Sequence, residues 1–264
     1  MRLAWLTDIH LNFVNADVRF SLWEALDLQC DAVVVTGDIG ERPSIVGYLR
    51  QMEVALKRPI YFVLGNHDFY RGSISETREV VTQLAAESEY LEYLTTTGMV
   101  ELTPQTALIG HDGWGDARLG DFENSDVILN DYALIEDLQF WVSPRELDKI
   151  KLRDVLHQLG DEAGQQLEAN LTMVASDYAN VIVATHVPPF REATWHEGRI
   201  SDDNWLPHFS CGATGEAVLR VMRSNPESRL QVLCGHTHGG GEFQPLENVN
   251  VLTGPATYGT PAIQ

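Results

Sequence analysis

Ile60-Tyr61-Phe62-Val63-Leu64-Gly65-Asn66-His67-Asp68 decides how this chain is read. The five apolar residues suit a strand buried on both faces. A glycine, an amide, an imidazole and a carboxylate then follow, and a core has no use for them. Just past a strand end they make sense. Glycine allows a sharp turn, asparagine offers a carbonyl oxygen, and histidine and aspartate can ligate or move protons. The same juxtaposition recurs on both sides of this stretch. Arg2–Thr7 runs into Asp8-Ile9-His10, and Ala32–Val35 into Thr36-Gly37-Asp38-Ile39-Gly40-Glu41. Val181–Thr185 ends at His186, and Leu230–Cys234 at Gly235-His236-Thr237-His238.

Helical spacing fills most intervals: residues 17–28, 43–57, 73–89 and 214–223, and a long stretch over 144–178 that is expected to break near Gly160–Gly164. Three short apolar runs, 91–94, 99–102 and 106–109, are too closely spaced for helices between them and predict consecutive antiparallel or edge strands. Residues 188–212 are irregular, and the tail carries two short strand-like pieces, 241–244 and 249–252. In open α/β sheets, ligands sit outside the carboxyl ends of the strands. Convergence of the five strand ends would gather Asp8, His10, Asp38, Asn66, His186, His236 and His238, with His67 close by. Carboxylates and neutral imidazoles together form a transition-metal ligand set. Seven such side chains exceed what one tetrahedral ion uses, and two ions sharing one carboxylate would use them all.

A chain of 264 residues, 44% hydrophobic, can bury a large core, and without repeats or low-complexity linkers residues 1–264 read as a single domain. No run is long and apolar enough to span a bilayer, and no secretory signal is expected at the start. Cys30, Cys211 and Cys234 are sparse and odd in number, which points to a reducing, cytoplasmic setting. A net charge of −20 argues against grip on a long nucleic acid, which needs clustered Lys and Arg.

Asp8-x-His10, Gly37-Asp38-x-x-Glu41, Gly65-Asn66-His67-Asp68, His186 and Gly235-His236-x-His238 resemble, in order, the five blocks of the calcineurin-like metallophosphoesterases. The resemblance implies an α/β fold, a four-layer α-β-β-α sandwich of two packed mixed β-sheets flanked by helices. It implies that Asp8, His10 and His238 hold one divalent ion, that Asn66, His186 and His236 hold the other, and that Asp38 bridges both. Mn, Fe, Zn, Co or Ni would be accepted, with Mn favoured. His67 would face the substrate phosphate, protonated, as acid or charge stabiliser, with Glu41 or Asp68 as the carboxylate that orients it. An ion-activated water would attack phosphorus. The implied activity is hydrolysis of a small or nucleotide-like phosphoester, a phosphodiester first by analogy. A phosphomonoesterase, a nuclease on the same scaffold and a non-catalytic interaction module are the alternatives. A (β/α)8 barrel is the rival fold, against which the closely spaced strands and the helix-free tail speak.

Two further readings concern the substrate. In the loop His111–Asp126, Trp114 offers a stacking face and Arg118 a phosphate contact, unless the tryptophan is simply packed. Arg191, Trp195, His196 and His208 are placed to line or cover the cleft, and Gly239-Gly240-Gly241 would leave room beside His238 for substrate or backbone.

Overall fold

Parallel pairing brings the N-terminal strand ends to one edge. A computed structural model describes residues 1–264. Its first sheet consists of β1 (Leu3–Leu6), β2 (Ala32–Thr36), β3 (Ile60–Val63) and β4 (Leu91–Tyr93), all parallel and in that order. Parallel neighbours need crossovers, supplied here by α1 (Ala16–Gln29), α2 (Ile45–Leu56) and α3 (Ile74–Ala86). Side chains start two of these helices: Asn15 accepts from the Val18 N–H and Ser73 from the Glu76 N–H.

After a single helical turn, α4 (Leu94–Thr97), the chain moves to a second sheet with the antiparallel pair β5 (Met99–Thr103) and β6 (Thr106–His111). The short helix α5 (Asp131–Leu134), a hairpin of β7 (Trp141–Ser143) and β8 (Glu146–Leu147), and the long helix α6 (Lys149–Val174) follow. Next come β9 (Asn180–Thr185), a hairpin of β10 (Trp195–His196) and β11 (Arg199–Ile200), the short α7 (Leu206–Phe209) and α8 (Gly212–Arg223). The last strands are β12 (Arg229–Cys234), β13 (Gly241–Leu246) and β14 (Val249–Thr253), which complete a sheet of order β13-β14-β12-β9-β6-β5. Strands β6, β9, β12 and β14 run parallel, so their carboxyl ends share one edge.

Alternation along the strands builds the layers. Val33 and Val35 of β2 face Leu26, Leu49 and Val81 of α1, α2 and α3, whereas Ala32 and Val34 meet Leu108, Ala184 and Leu233 of the second sheet. The far face of that sheet, with Ile109, Val183 and Val232, packs on Leu167 and Leu171 of α6 and on Val218 and Met222 of α8. The architecture is therefore the α-β-β-α sandwich that the resemblance implies, although only the second sheet is mixed and the first is wholly parallel. No helix is long and apolar enough to cross a membrane.

One local expectation is corrected and another is met. Helix α6 runs unbroken through Gly160 and Gly164, and the hairpin takes the residues before it. The glycines serve close packing: a Cβ on Gly160 would lie 2.5 Å from Asp116 Cβ, and one on Gly164 3.0 Å from the Ala213 carbonyl oxygen. The three short runs are antiparallel or edge strands as expected: β5 and β6 pair antiparallel. β4 is an edge strand of the first sheet, parallel to β3.

Candidate metal centre

Past the end of the first sheet, the loops after β1 and β2 stay side by side. Asp8 N–H donates to Gly37 O at 3.1 Å and His10 N–H to Asp38 O at 2.9 Å. Asp8, His10, Asp38, His236 and His238 all adopt left-handed backbone, with φ of 49°, 38°, 53°, 70° and 59°. Such backbone is uncommon outside glycine and costs of order 1–3 kcal/mol per residue, so its clustering marks a functional site. Close approach explains two of the motif glycines. A Cβ on Gly65 would lie 2.2 Å from Asp38 Oδ1, and one on Gly235 2.0 Å from Asp8 Oδ2. Gly65 itself has φ −103°, so proximity rather than a special turn requires it.

Asp8, His10, Asp38 and His238 present ligand atoms that all lie within 4.8 Å of one another. His10 Nε2 and His238 Nε2 are 3.1 Å apart, a separation that needs a proton or a cation between two ring nitrogens. His238 Nε2 is 3.4 Å from Asp8 Oδ1, and His10 Nε2 is 3.5 Å from Asp38 Oδ2.

A second group stands beside it. His186 Nδ1 lies 2.8 Å from the Thr36 carbonyl oxygen, and His236 Nε2 lies 3.1 Å from that of His208. A carbonyl only accepts, so each ring donates an N–H there, and the tautomer this selects turns the other nitrogen's lone pair inward. Asn66 donates through Nδ2 to Asp131 Oδ1 at 2.8 Å, which fixes the amide's direction. Asn66 Oδ1 consequently faces His186 Nε2 at 3.0 Å and His236 Nδ1 at 2.9 Å. Three acceptors converge with no proton among them, and this donor set fits a cation.

Asp38 stands between the groups. Its Oδ1 is 3.5 Å from His186 Nε2 and accepts from the His67 N–H at 2.9 Å, while its Oδ2 faces His10. Burial, reinforced by Asp8 and Asp68, pushes the Asp38 carboxyl well above the usual carboxylate range. Burial also works against ionised Asp8, but the His238 hydrogen bond and the surrounding imidazoles outweigh it and hold that carboxyl low. Histidines are the only basic side chains that approach either carboxylate within 4 Å, and no Lys or Arg does. Burial takes His10 down to about 2 and His236 to about 3, so both rings are neutral at pH 7 and ready to ligate.

A cleft of about 250 Å³ opens over Asp38, Asn66, His67, His236 and His238, walled by Tyr70, Leu129, Phe209 and Tyr258 among others, with no Lys or Arg lining it. A larger groove of about 680 Å³ lies at the opposite strand ends, beside Asn180, Arg229 and Asn248, away from the ligating cluster.

His67 lines the cleft, its ring stacked on Tyr70 at 4.3 Å, with Nε2 4.0 Å from Asp38 Oδ2 and Nδ1 buried without a partner. Burial and then His186 lower it to about 4, so the ring is neutral at pH 7, not protonated as expected. A cation beside it would push the same way. Neither candidate carboxylate touches this ring. Asp68 accepts from the Gly40 N–H at 2.7 Å and the Gly65 N–H at 2.9 Å, tying the β2 and β3 loops together. Glu41 pairs with Arg71 and accepts from Asn12.

Trp114 and Arg118 do not form a substrate wall. Trp114 is buried against Phe69, and Arg118 is held by Asp116 and Asp161; neither lines the cleft. The room beside Gly239 and Gly241 is filled by Trp195 rather than by substrate, since Cβ atoms there would meet Trp195 at 2.2 and 2.0 Å. Of Arg191, Trp195, His196 and His208, only His196 lines the cleft, joined by Phe209 from the same stretch, whereas His208 acts through its carbonyl behind His236.

Three contributors were not visible in the sequence. Asp131 holds Asn66 and also accepts from the Tyr70 hydroxyl at 2.7 Å. The Asp112 carboxylate accepts from Leu64 N–H, Thr95, Tyr93 and Arg78, while its carbonyl accepts from the His186 N–H at 2.9 Å, so one residue ties both sheets to a ligand loop. Tyr258, in the tail, packs against His10. Only the aspartate-rich character of residues 111–126 hinted at any of them.

Residues 1–240 match the family model described as calcineurin-like phosphoesterase. No curated protein matches the chain. Among solved structures, the chain is similar to a phosphopantetheinyl hydrolase from Mycobacterium tuberculosis, at 14% identity and TM-score 0.67, over 100% of this chain and 95% of that one. It is similar to a dimetal phosphatase from Danio rerio at 17% identity and TM-score 0.59, over 96% and 86% of the two chains. GAP50, the anchor in the inner membrane complex of Plasmodium, aligns at 13% identity and TM-score 0.51, over 97% of this chain and 71% of that one. At these identities the structural likenesses speak for the fold alone, and it is the family match over nearly the whole chain, joined to the Asp/His cluster at the strand ends, that carries the assignment: this chain belongs to the calcineurin-like phosphoesterases and is a phosphoric ester hydrolase.

Proposed function

We propose that the protein is a phosphodiesterase acting on small or nucleotide-like esters with two divalent ions bound, one at Asp8, His10 and His238, the other at Asn66, His186 and His236, with Asp38 shared. Two such ions supply an activated water and neutralise charge on the phosphoryl oxygens. The chain's own contributions are positional. The Thr36 and His208 carbonyls fix the tautomers of His186 and His236, and Asp131 fixes the Asn66 amide. His67, neutral and beside the cleft, offers an N–H to a phosphoryl or departing oxygen. The mixture of carboxylate oxygen and imidazole admits Mn, Fe, Zn, Co or Ni, and Mn is put first by analogy with the family alone.

The absence of Lys and Arg from the cleft carries the diester reading. A monoester arrives with nearly two negative charges and a diester with one. In a protein of net charge −20, the additional charge has nothing but the ions to meet it. The same deficit supports exclusion of long nucleic acid. Free, buried Cys30, Cys211 and Cys234 support a cytoplasmic setting, and the unbroken core between the two sheets supports one domain over 1–264. The test is turnover of bis-p-nitrophenyl phosphate against p-nitrophenyl phosphate by metal-reconstituted protein. The diester is expected to be hydrolysed faster; preference for the monoester would make the protein a phosphomonoesterase.

A further inference from the structure

We propose that Tyr258 selects the organic group of the substrate, its ring serving as the stacking face for a planar substituent, a nucleobase in particular. The inference deepens the function proposed above and rests on the phosphoester site described there.

The tail after β14 has neither helix nor strand, yet it is fixed at both ends. Gly254 N–H donates to Cys234 O at 2.9 Å, Ala256 N–H to His238 O at 3.2 Å, and Gln264 N–H to Trp5 O at 2.9 Å, while Ile263 packs against the core. Tyr258 is carried between these anchors to the mouth of the cleft. Its ring centroid lies 4.5 Å from that of His10, 5.0 Å from His238 and 6.4 Å from His67. Phe13 meets it edge-on at 5.0 Å and 70°, supporting it from outside the site. Even so, Tyr258 remains 49% exposed.

A large aromatic ring held over a buried polar cluster and still open to solvent is apolar surface left uncovered beside the reacting centre. A flat group laid on it removes that surface from water and gains the offset stacking that aromatic faces prefer. The cleft, about 250 Å³, is smaller than the roughly 300–1,000 Å³ of pockets that enclose a drug-sized ligand, so it reads one substituent and leaves the other to solvent. Leu129 and Phe209 add apolar area to the remaining walls, and no cation is there to recruit a second phosphate. Trp114, buried on Phe69, cannot take this part.

The test is calorimetric binding of thymidine 5′-monophosphate and of methyl phosphate to the metal-reconstituted full chain. Base-on-aromatic stacking predicts that the wild type binds the nucleotide about tenfold more tightly than methyl phosphate, and that Tyr258→Ala loses most of this preference. Tyr258→Phe and Tyr258→Trp are expected to keep it, because the ring and not the hydroxyl supplies the contact. Metal content per chain and methyl phosphate affinity of Tyr258→Ala are read alongside. The proposal is overturned if the wild type shows no preference or binds neither ligand, if Tyr258→Ala retains the preference, or if Tyr258→Ala weakens both ligands equally, which would make Tyr258 a support for His10 and His238. Hydrolysis of bis-p-nitrophenyl phosphate by the same preparations judges the diesterase reading separately.

Discussion

His10 and His238 are 228 positions apart in the chain, and their Nε2 atoms meet at 3.1 Å beside two buried carboxylates. Folding alone gives little reason to bring these groups together, because burying unpaired charge and opposed lone pairs is costly. A cation reverses the sign of each of those interactions. Divalent ions are therefore expected to bind the folded chain and not the unfolded one. Stability then rises with ion concentration, by about 2.7 kcal/mol at one hundred times Kd. Calorimetric melting with Mn added and after chelation checks this, together with two ions per chain by elemental mass spectrometry. A melting temperature indifferent to both treatments would refute the metal centre.

Asp131 touches no proposed ion, but it directs the Asn66 amide. Asp131→Ala frees that amide to rotate, which replaces an acceptor by a donor between His186 and His236. Metal content should fall from two ions per chain towards one, with the Asp8, His10 and His238 site still filled. Outer partners of this kind typically contribute 10–100-fold in metal affinity or activity. Loss of both ions together would instead show that Asp131 supports the fold around the whole centre.

Gly65 makes a sharper demand. Its ideal Cβ would lie 2.2 Å from Asp38 Oδ1 and 2.5 Å from Asp38 N, and backbone cannot swing aside as a side-chain tip can. Gly65→Ala is expected to destabilise the protein by at least ~3 kcal/mol, the upper end of ordinary overpacking, and to lower metal content. Denaturant melts of the metal-free protein separate the two effects, and a loss under ~1 kcal/mol would mean the Asp38 loop yields easily.

The strand ends were legible because Asp8, His10, Asp38, Asn66, His186, His236 and His238 are residue types that the ends of apolar runs do not otherwise need. The residues that aim them were not. Asp112 and Asp131 act through ordinary hydrogen bonds to partners as remote in sequence as His186 and Asn66, and nothing local distinguishes them from surface carboxylates. Trp114 and Tyr258 show the same limit, since one is packed and the other presented only because of tertiary neighbours. Gly160 shows how local propensity misleads. Within α6, Gly160→Ala should gain about 1 kcal/mol of helix propensity. Yet its Cβ would press on Asp116 Cβ at 2.5 Å, so a net loss of stability in thermal melts is expected, and a stabilised variant would show that the α6 contact relaxes.

His208 couples this centre to pH. Its ring is buried, with Nε2 3.0 Å from the Ser125 hydroxyl, and Nδ1 2.5 Å from the Tyr132 hydroxyl, while its carbonyl holds His236. Burial, and then Lys149, lower the ring to about 4 from an ordinary 6.5. Between those values the unfolded chain binds a proton that the folded chain refuses. Stability from this group is therefore whole above about pH 6.5 and declines as pH falls towards 4. Asp68, raised to about 6 by burial, works in the opposite direction over part of the same window, so the wild-type curve alone does not isolate His208. The difference between wild type and His208→Gln does. Without its ring the variant lacks the acid penalty, and its stability relative to wild type should rise by about 3 kcal/mol between pH 7 and pH 4. Urea melts of metal-free protein at half-unit pH steps measure that difference. A constant gap across the range would show that His208 titrates normally in the folded chain.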